Sequence, residues 1–384
     1  MNFSEASIKL TKNLSKETKK NEGIYFTPKS IVQKMVDFVL DYKPKSILEP
    51  SCGSGQFLEY FSENITAIEK NVTIYNVVSE NYKVINADFL KYQFTSKFDL
   101  VIGNPPYFVV PKSSVDKRYH PFFTGRPNIY ILFIIKSFEL LNPGGILAFV
   151  LPTNFLNCIY YNELRKYLMN FKILDIHVTS DKFLETCQEI CIFIIQKSEY
   201  KSEDFYLHFD NIVLFKPKDD LVKIKKLIVN STTLANLGCK LNIGTVVWNQ
   251  CKNLLTTDES KPLLIYSGDI KDNKLDIQAY RDASKKNYIN KTGFKDKILL
   301  VNRGYGTGKY NLNYCIIDPE KDQLLKNGYL VENHCIVIHN ETSSLLDKIT
   351  RSFENPKTKE FIDIIFSNNA INIEEFLYIL PIFI

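Results

Sequence analysis

The apolar run Phe98-Asp99-Leu100-Val101-Ile102-Gly103 ends on Asn104-Pro105-Pro106-Tyr107, and no other stretch leaves the backbone so little choice. The run reads as a buried strand. Two successive prolines have no N–H to give a neighbouring strand, so pairing stops there. Pro106 also keeps Pro105 out of helical geometry, which leaves a stiff, extended corner. That corner sits at the carboxyl end of a strand, the end at which open α/β sheets bind ligands. The Asn104 side-chain oxygen and the Pro105 carbonyl are two convergent acceptors, suited to an –NH₂ group that must release protons. Tyr107 adds a face for a planar ring.

Asn-Pro-Pro-Tyr after an apolar strand resembles the signature of methyltransferases that act on amino or amide nitrogens, above all DNA adenine-N6 methyltransferases. Protein-glutamine and some RNA methyltransferases share it. The resemblance makes Asn104, Pro105, Pro106 and Tyr107 the catalytic corner, with Asn104 and Pro106 also bordering the cofactor.

Upstream, Gly23-Ile24-Tyr25-Phe26-Thr27-Pro28 leads into a helix whose Ile31, Val32, Met35, Val36 and Val39 recur at helical spacing. Thr27 reads as its N-cap and Pro28 as its first turn. A helix N-terminus attracts a carboxylate. This segment looks like the motif called X in these enzymes, which implies that Thr27 contacts the cofactor's amino-acid end.

Ser46-Ile47-Leu48 is a short strand followed by Glu49-Pro50-Ser51-Cys52-Gly53-Ser54-Gly55-Gln56-Phe57-Leu58. Gly53 and Gly55 allow a tight turn and close approach to a ligand. The third glycine of a dinucleotide fingerprint is missing, since position 58 is Leu, and this fits a cofactor without phosphate. By resemblance that cofactor is S-adenosylmethionine, with Glu49 facing its cationic end and Ser51, Gly53 and Gly55 in its loop. Ile65–Ile68 is the next strand and ends at Glu69, where an acid pairs with ribose hydroxyls. A third strand over 81–87 ends in Asp88-Phe89. The resemblance gives Asp88 the cofactor adenine's amino group and Phe89 its ring.

Residues 108–128 form a long loop bearing Lys112, Arg118 and Arg126, placed to meet DNA phosphates. A helix over 129–141, a strand over 146–151, a helical 155–170, a strand over 171–178 and a buried strand over 190–195 follow. In the resembling enzymes an aromatic before this last strand stacks on the target base, which singles out Phe183 beside Tyr107. Residues 230–384 change to short β-rich runs with Gly and Asn. Their basic stretch includes Arg281, Lys285, Lys286, Lys291, Lys295, Lys297, Arg303 and Lys309. Lys285, Lys286 and Arg303 are the DNA-contact candidates there.

The motif order resembles the γ class of DNA amino-methyltransferases. It implies a class I, Rossmann-like α/β fold: a mostly parallel seven-stranded sheet with one reversed strand late in the chain, plus a C-terminal β-rich or mixed target-recognition domain. The expected division is a catalytic domain over 1–215, opening with a basic arm over 1–22, and a recognition domain over 216–384. The implied activity is site-specific adenine-N6 methylation of a flipped-out base in double-stranded DNA, of the restriction-modification type, with room for a cognate restriction endonuclease as partner. Cytosine-N4 methylation stays open because the same corner serves both amines. Protein-glutamine and RNA methylation are alternatives, disfavoured because the Gly-rich loop arrives early and most of the chain follows the tetrapeptide.

Composition narrows the classes further. The net charge of +5 permits nucleic acid without demanding it. Eight cysteines form no CxxC pair, so no metal is expected, and free thiols suit a reducing cytoplasm. No apolar run reaches the length of a membrane span, and the N-terminus does not read as a signal peptide.

Overall fold

Strand pairing in the first half of the chain follows from where the apolar runs are broken by acids, Gly and Pro. The computed structural model describes residues 2–61, 64–179, 181, 183–185, 189–199, 203–304, 310–366 and 371–384. The chain divides into two units, Met1–Leu221 and Val222–Ile384.

In the first unit, α1 (Glu5–Asn13), α2 (Lys16–Glu22) and α3 (Lys29–Leu40) precede β1 (Ile47–Glu49). Then come β2 (Ile65–Glu69), α4 (Val72–Val78), β3 (Val84–Asn86), β4 (Phe98–Gly103), α5 (Ile129–Leu140) and β5 (Leu141–Pro152). The unit continues with α6 (Asn162–Leu168), β6 (Phe171–Thr179), β7 (Ile190–Glu199) and the hairpin β8 (Tyr206–Phe209)–β9 (Ile212–Phe215). One sheet of seven strands runs in the order β3-β2-β1-β4-β5-β7-β6. The first five are parallel, and β7 lies antiparallel between β5 and β6. This is the class I methyltransferase arrangement that the motifs imply.

The central strands are apolar without interruption because both faces are covered. Leu100, Ile102, Ile146 and Ala148 face α3 through Ile31, Val32, Met35 and Val36. Val101, Leu147 and Phe149 face α5 through Tyr130, Ile131 and Ile134. Alternate residues thus feed two cores, as the pleat requires. Because β1 lies between β2 and β4, the chain crosses from one half of the sheet to the other there. The crevice opens at that switch, outside the carboxyl ends of β1 and β4.

The basic N-terminal arm is helical and partly buried. α1 and α2 are capped by Ser4 and Ser15. Leu10 and Leu14, one helical turn apart, bury against Phe26 and Ile74. Lys19 is buried, donating to the Thr11 carbonyl and pairing with Glu185 at 2.7 Å. Nor does Thr27 cap α3: the cap position belongs to Pro28, which has no side-chain bond to offer. Residues 50–57 form bends and turns that lead into a single 3-10 turn at Leu58–Tyr60. The expected 155–170 helix is broken into two 3-10 turns and α6, pinned by the fully buried Arg165, whose guanidinium donates to carbonyls of Phe155, Cys158 and Val213.

α7 (Lys218–Leu227) leads into the second unit. Its strands are β10 (Lys240–Ile243), β11 (Leu255–Thr256), β12 (Leu263–Ile265), β13 (Ile270–Lys271), β14 (Lys274–Leu275), β15 (Tyr288–Ile289), β16 (Ile298–Asn302), β17 (Tyr314–Ile317), β18 (Tyr329–Val331) and β19 (Cys335–His339). They make two four-stranded sheets, β10-β19-β16-β17 and β11-β15-β12-β18, and a β13-β14 hairpin. Helices α8 (Ser343–Phe353), α9 (Pro356–Ile365) and α10 (Ile373–Tyr378) close the chain. The unit is mixed and β-rich, as its composition suggests.

Candidate active site

At the end of β1 the chain must turn back without clashing with its neighbours. Gly53 and Gly55 adopt φ of 53° and 79°, a region that disfavours side chains. A Cβ on Gly55 would also meet the Val78 side chain at 2.9 Å. The turn is held to the next strand by the Cys52 N–H on the Ile68 carbonyl and the Gly53 N–H on Glu69 Oε2, both at 2.9 Å. Glu69 Oε1 accepts from the Asn71 N–H at 2.7 Å. Burial raises the Glu69 carboxyl, and these backbone donors oppose the rise. Glu49 is more isolated: buried, pushed well up first by burial and then by Glu69, and with no partner for Oε2. At the end of β3, Asp88 Oδ1 accepts from the Leu90 N–H at 3.0 Å and Oδ2 lies 3.1 Å from Lys70 Nζ. Phe89 beside it is buried against Phe133. Lys136, buried on α5, fixes this segment by donating to the carbonyls of Phe89, Leu90 and Tyr92.

The proline corner meets the same crevice. Asn104 and Pro106 line an open cleft of about 770 Å³ together with Ser51, Gly53, Glu69, Asp88 and Phe89. Ser51 Oγ donates to the Asn104 carbonyl at 3.2 Å, tying the glycine loop to the corner. Asn104 Nδ2 donates to the Tyr25 carbonyl at 2.9 Å, which turns Oδ1 the other way. Tyr107 does not display its ring as the sequence suggests. It packs edge-on against Tyr130, and its hydroxyl points inward to the Val150 carbonyl at 2.7 Å and to Asn104 Oδ1. Burial pushes its phenol well up.

Residues 8–183 match the family model described as Eco57I restriction-modification methylase. The chain is 27% identical over 397 residues to the type II methyltransferase M.CvrRI of Paramecium bursaria Chlorella virus XZ-6E, covering 99% of each. The chain is a relative of the type II methyltransferases. The modification methylase CviBIII of Paramecium bursaria Chlorella virus NC1A is likewise 27% identical over 406 residues, again 99% of each chain. M.AccI of Acinetobacter calcoaceticus is 31% identical over 183 residues, 43% of this chain and 34% of that one.

Not every expected residue reaches the cleft. Among the described residues, its lining does not include Thr27, Glu49, Gly55, Pro105, Tyr107 or Phe183. Glu49 adjoins the lining residue Pro50 and packs beside Gly103. Phe183 is buried among α3 and β7 residues, edge-on to Tyr25 with ring centres 6.4 Å apart. Of the basic candidates, Arg126 and Lys112 are exposed. Arg118 lies over the Tyr119 ring and near Asp116 and Glu139. In the second unit, the Lys285 ammonium is held over Tyr266 and Tyr280. Lys286 is half-buried and its carbonyl accepts from Tyr266, while Arg303 donates to the Ile371 carbonyl. Lys309 lies outside the described residues.

The cleft also holds residues to which the sequence reading gave no contact of their own, although it placed Gly23, Ile24 and Tyr25 in the segment resembling motif X. Glu22, Gly23, Ile24 and Tyr25 form one wall. Glu22 reaches across to accept from Asn71 Nδ2 at 2.8 Å, and the Gly23 carbonyl faces the Tyr107 N–H at 3.4 Å. The sequence signal for this wall was the motif-X segment, in which only Thr27 was given a contact. Among the described residues there is no cluster of three metal-ligating side chains, and no helix is long and apolar enough to cross a membrane.

Proposed function

We propose that this chain transfers the methyl group of S-adenosylmethionine to the N6 amine of an adenine turned out of double-stranded DNA, as the modification partner of a cognate restriction endonuclease. The supporting observation is that Asn104 and Pro106 share one cleft with Gly53, Glu69, Asp88 and Phe89. The residues fit the cofactor. The partnerless buried oxygen of Glu49 calls for a cation, the acids ending β2 and β3 suit hydroxyls and an amine, and Phe89 suits an aromatic ring. When bound, S-adenosylmethionine supplies a methyl group made electrophilic by the adjoining sulfonium.

The chain's own contribution is to the nucleophile. An adenine N6 lone pair is delocalised into its ring and is a poor donor. Asn104 Oδ1 and the Pro105 carbonyl, accepting its two hydrogens, draw the nitrogen towards tetrahedral geometry. They also stabilise the positive charge that grows there as the methyl arrives. The proton leaves the nitrogen afterwards, so no side chain has to abstract it first. Turning the base out of the duplex costs a few kcal/mol, and stacking on an aromatic ring returns about 1–3 kcal/mol. Tyr107 and Phe183 are the candidate rings for this; neither borders the cleft, so both would have to reorient to serve. Residues 1–215 would then carry catalysis and 216–384 recognition.

The test is nucleoside analysis of DNA from a methylation-free host expressing the chain. N6-methyladenine in one short sequence context is expected. N4-methylcytosine would move the target to cytosine, and unmethylated DNA would overturn the reading. Asn104→Ala should lower turnover at least about 100-fold, as loss of a preorganised partner does elsewhere, while cofactor affinity changes little in equilibrium binding.

A further inference from the structure

In the second unit the segment after β10 is held unusually close to its neighbours. An added Cβ at Gly244 would lie 2.0 Å from the Glu332 carbonyl oxygen. The Gly244 and Val246 N–H groups bond Cys335 and Val331, and the Asn333 N–H bonds Val246, all at 3.0 Å. At the far end Asn290 N–H bonds the Leu254 carbonyl at 2.8 Å. Between these anchors a 3-10 turn presents Trp248, Asn249 and Gln250. Trp248, the chain's only tryptophan, is half-buried against the Val246–Tyr266 cluster, whereas both amides are exposed. Lys252 and Lys285 hold their ammonium groups 5.3 and 5.6 Å from the indole centre.

A rigid turn with two free amides, an aromatic face and fixed positive charge matches the chemistry of base reading. Asn and Gln side chains pair in bidentate fashion with adenine edges in the major groove. Lysines beside them meet phosphates. Cation–π contact orders the ammonium groups without neutralising them. We propose that the turn Trp248–Gln250 is the sequence-reading element for duplex DNA, with Asn249 and Gln250 touching base edges and Lys252 touching a phosphate. This rests on the DNA reading above and goes further by naming residues that set specificity.

The test is selection of sequences from a randomised duplex pool by the full-length protein and by Asn249→Ala, Gln250→Ala and Lys252→Ala variants. Both amides are exposed, so their loss leaves the fold intact. Asn249→Ala and Gln250→Ala should each relax the selected sequence at one or two positions, by about tenfold. Lys252→Ala should keep the sequence and lower the slope of log affinity against log salt by about one. Selected sequences and affinities matching the parent in all three variants would overturn the assignment, as would a parent that prefers RNA or single strands to duplex. The measurement needs no methyl transfer. A parent that selects duplex sequences but methylates nothing defeats the catalytic reading alone.

Discussion

The Asn104 amide is oriented from both ends, by the Tyr25 carbonyl on Nδ2 and by the Tyr107 hydroxyl over Oδ1. A phenol has one proton, shared here between that oxygen and the Val150 carbonyl. Tyr107→Phe should therefore lower stability by about 1 kcal/mol in chemical denaturation, by leaving a buried carbonyl unpaired. Its turnover, if the ring alone serves stacking, should fall far less than that of Asn104→Ala. Glu49 carries a pH consequence. Its folded-state pKa is raised, so its contribution to stability is full below the unfolded value of about 4.3 and is lost as pH rises through the folded value. Glu49→Gln should then melt higher than the parent at about pH 8 without cofactor, and the gap should close towards about pH 4. Thermal melts across that range check it. With saturating S-adenosylmethionine the order should reverse.

Elements behind the site explain which parts could be read in advance. The strands, glycine turn and proline corner were legible because each is written in local chemistry: apolar runs, positive φ at glycine, missing N–H groups. The α1–α2 pair was not, because Leu10 and Leu14 sit among lysines that compositional reading sends to solvent, and only Phe26 and Ile74 reveal the buried stripe. The inward turn of the Tyr107 hydroxyl was not legible, since nothing local tells a tyrosine that the Val150 carbonyl is within reach. Gly23 is the hinge of this wall, with φ of 64° and an ideal Cβ only 2.5 Å from the Tyr107 nitrogen. Gly23→Ala should cost more than about 1 kcal/mol in denaturation and disturb turnover from outside the corner. Lys136→Met, which strips three carbonyls of their donor, should cost about 1–3 kcal/mol and weaken cofactor binding through Phe89.

Across the whole molecule, the second unit was legible only as a change of texture. Its sheets join strands distant in sequence, such as β10 with β19 and β12 with β18, and no short motif announces such pairings. Among the described residues, those bordering the cleft fall between Glu22 and Phe133, inside the first unit, whereas the exposed Asn249–Gln250 turn belongs to the second. On the proposed reading, donor chemistry and address lie on separate lengths of the chain. A chimaera that grafts another relative's second half onto this first half would inherit an undisturbed transfer centre and a different destination.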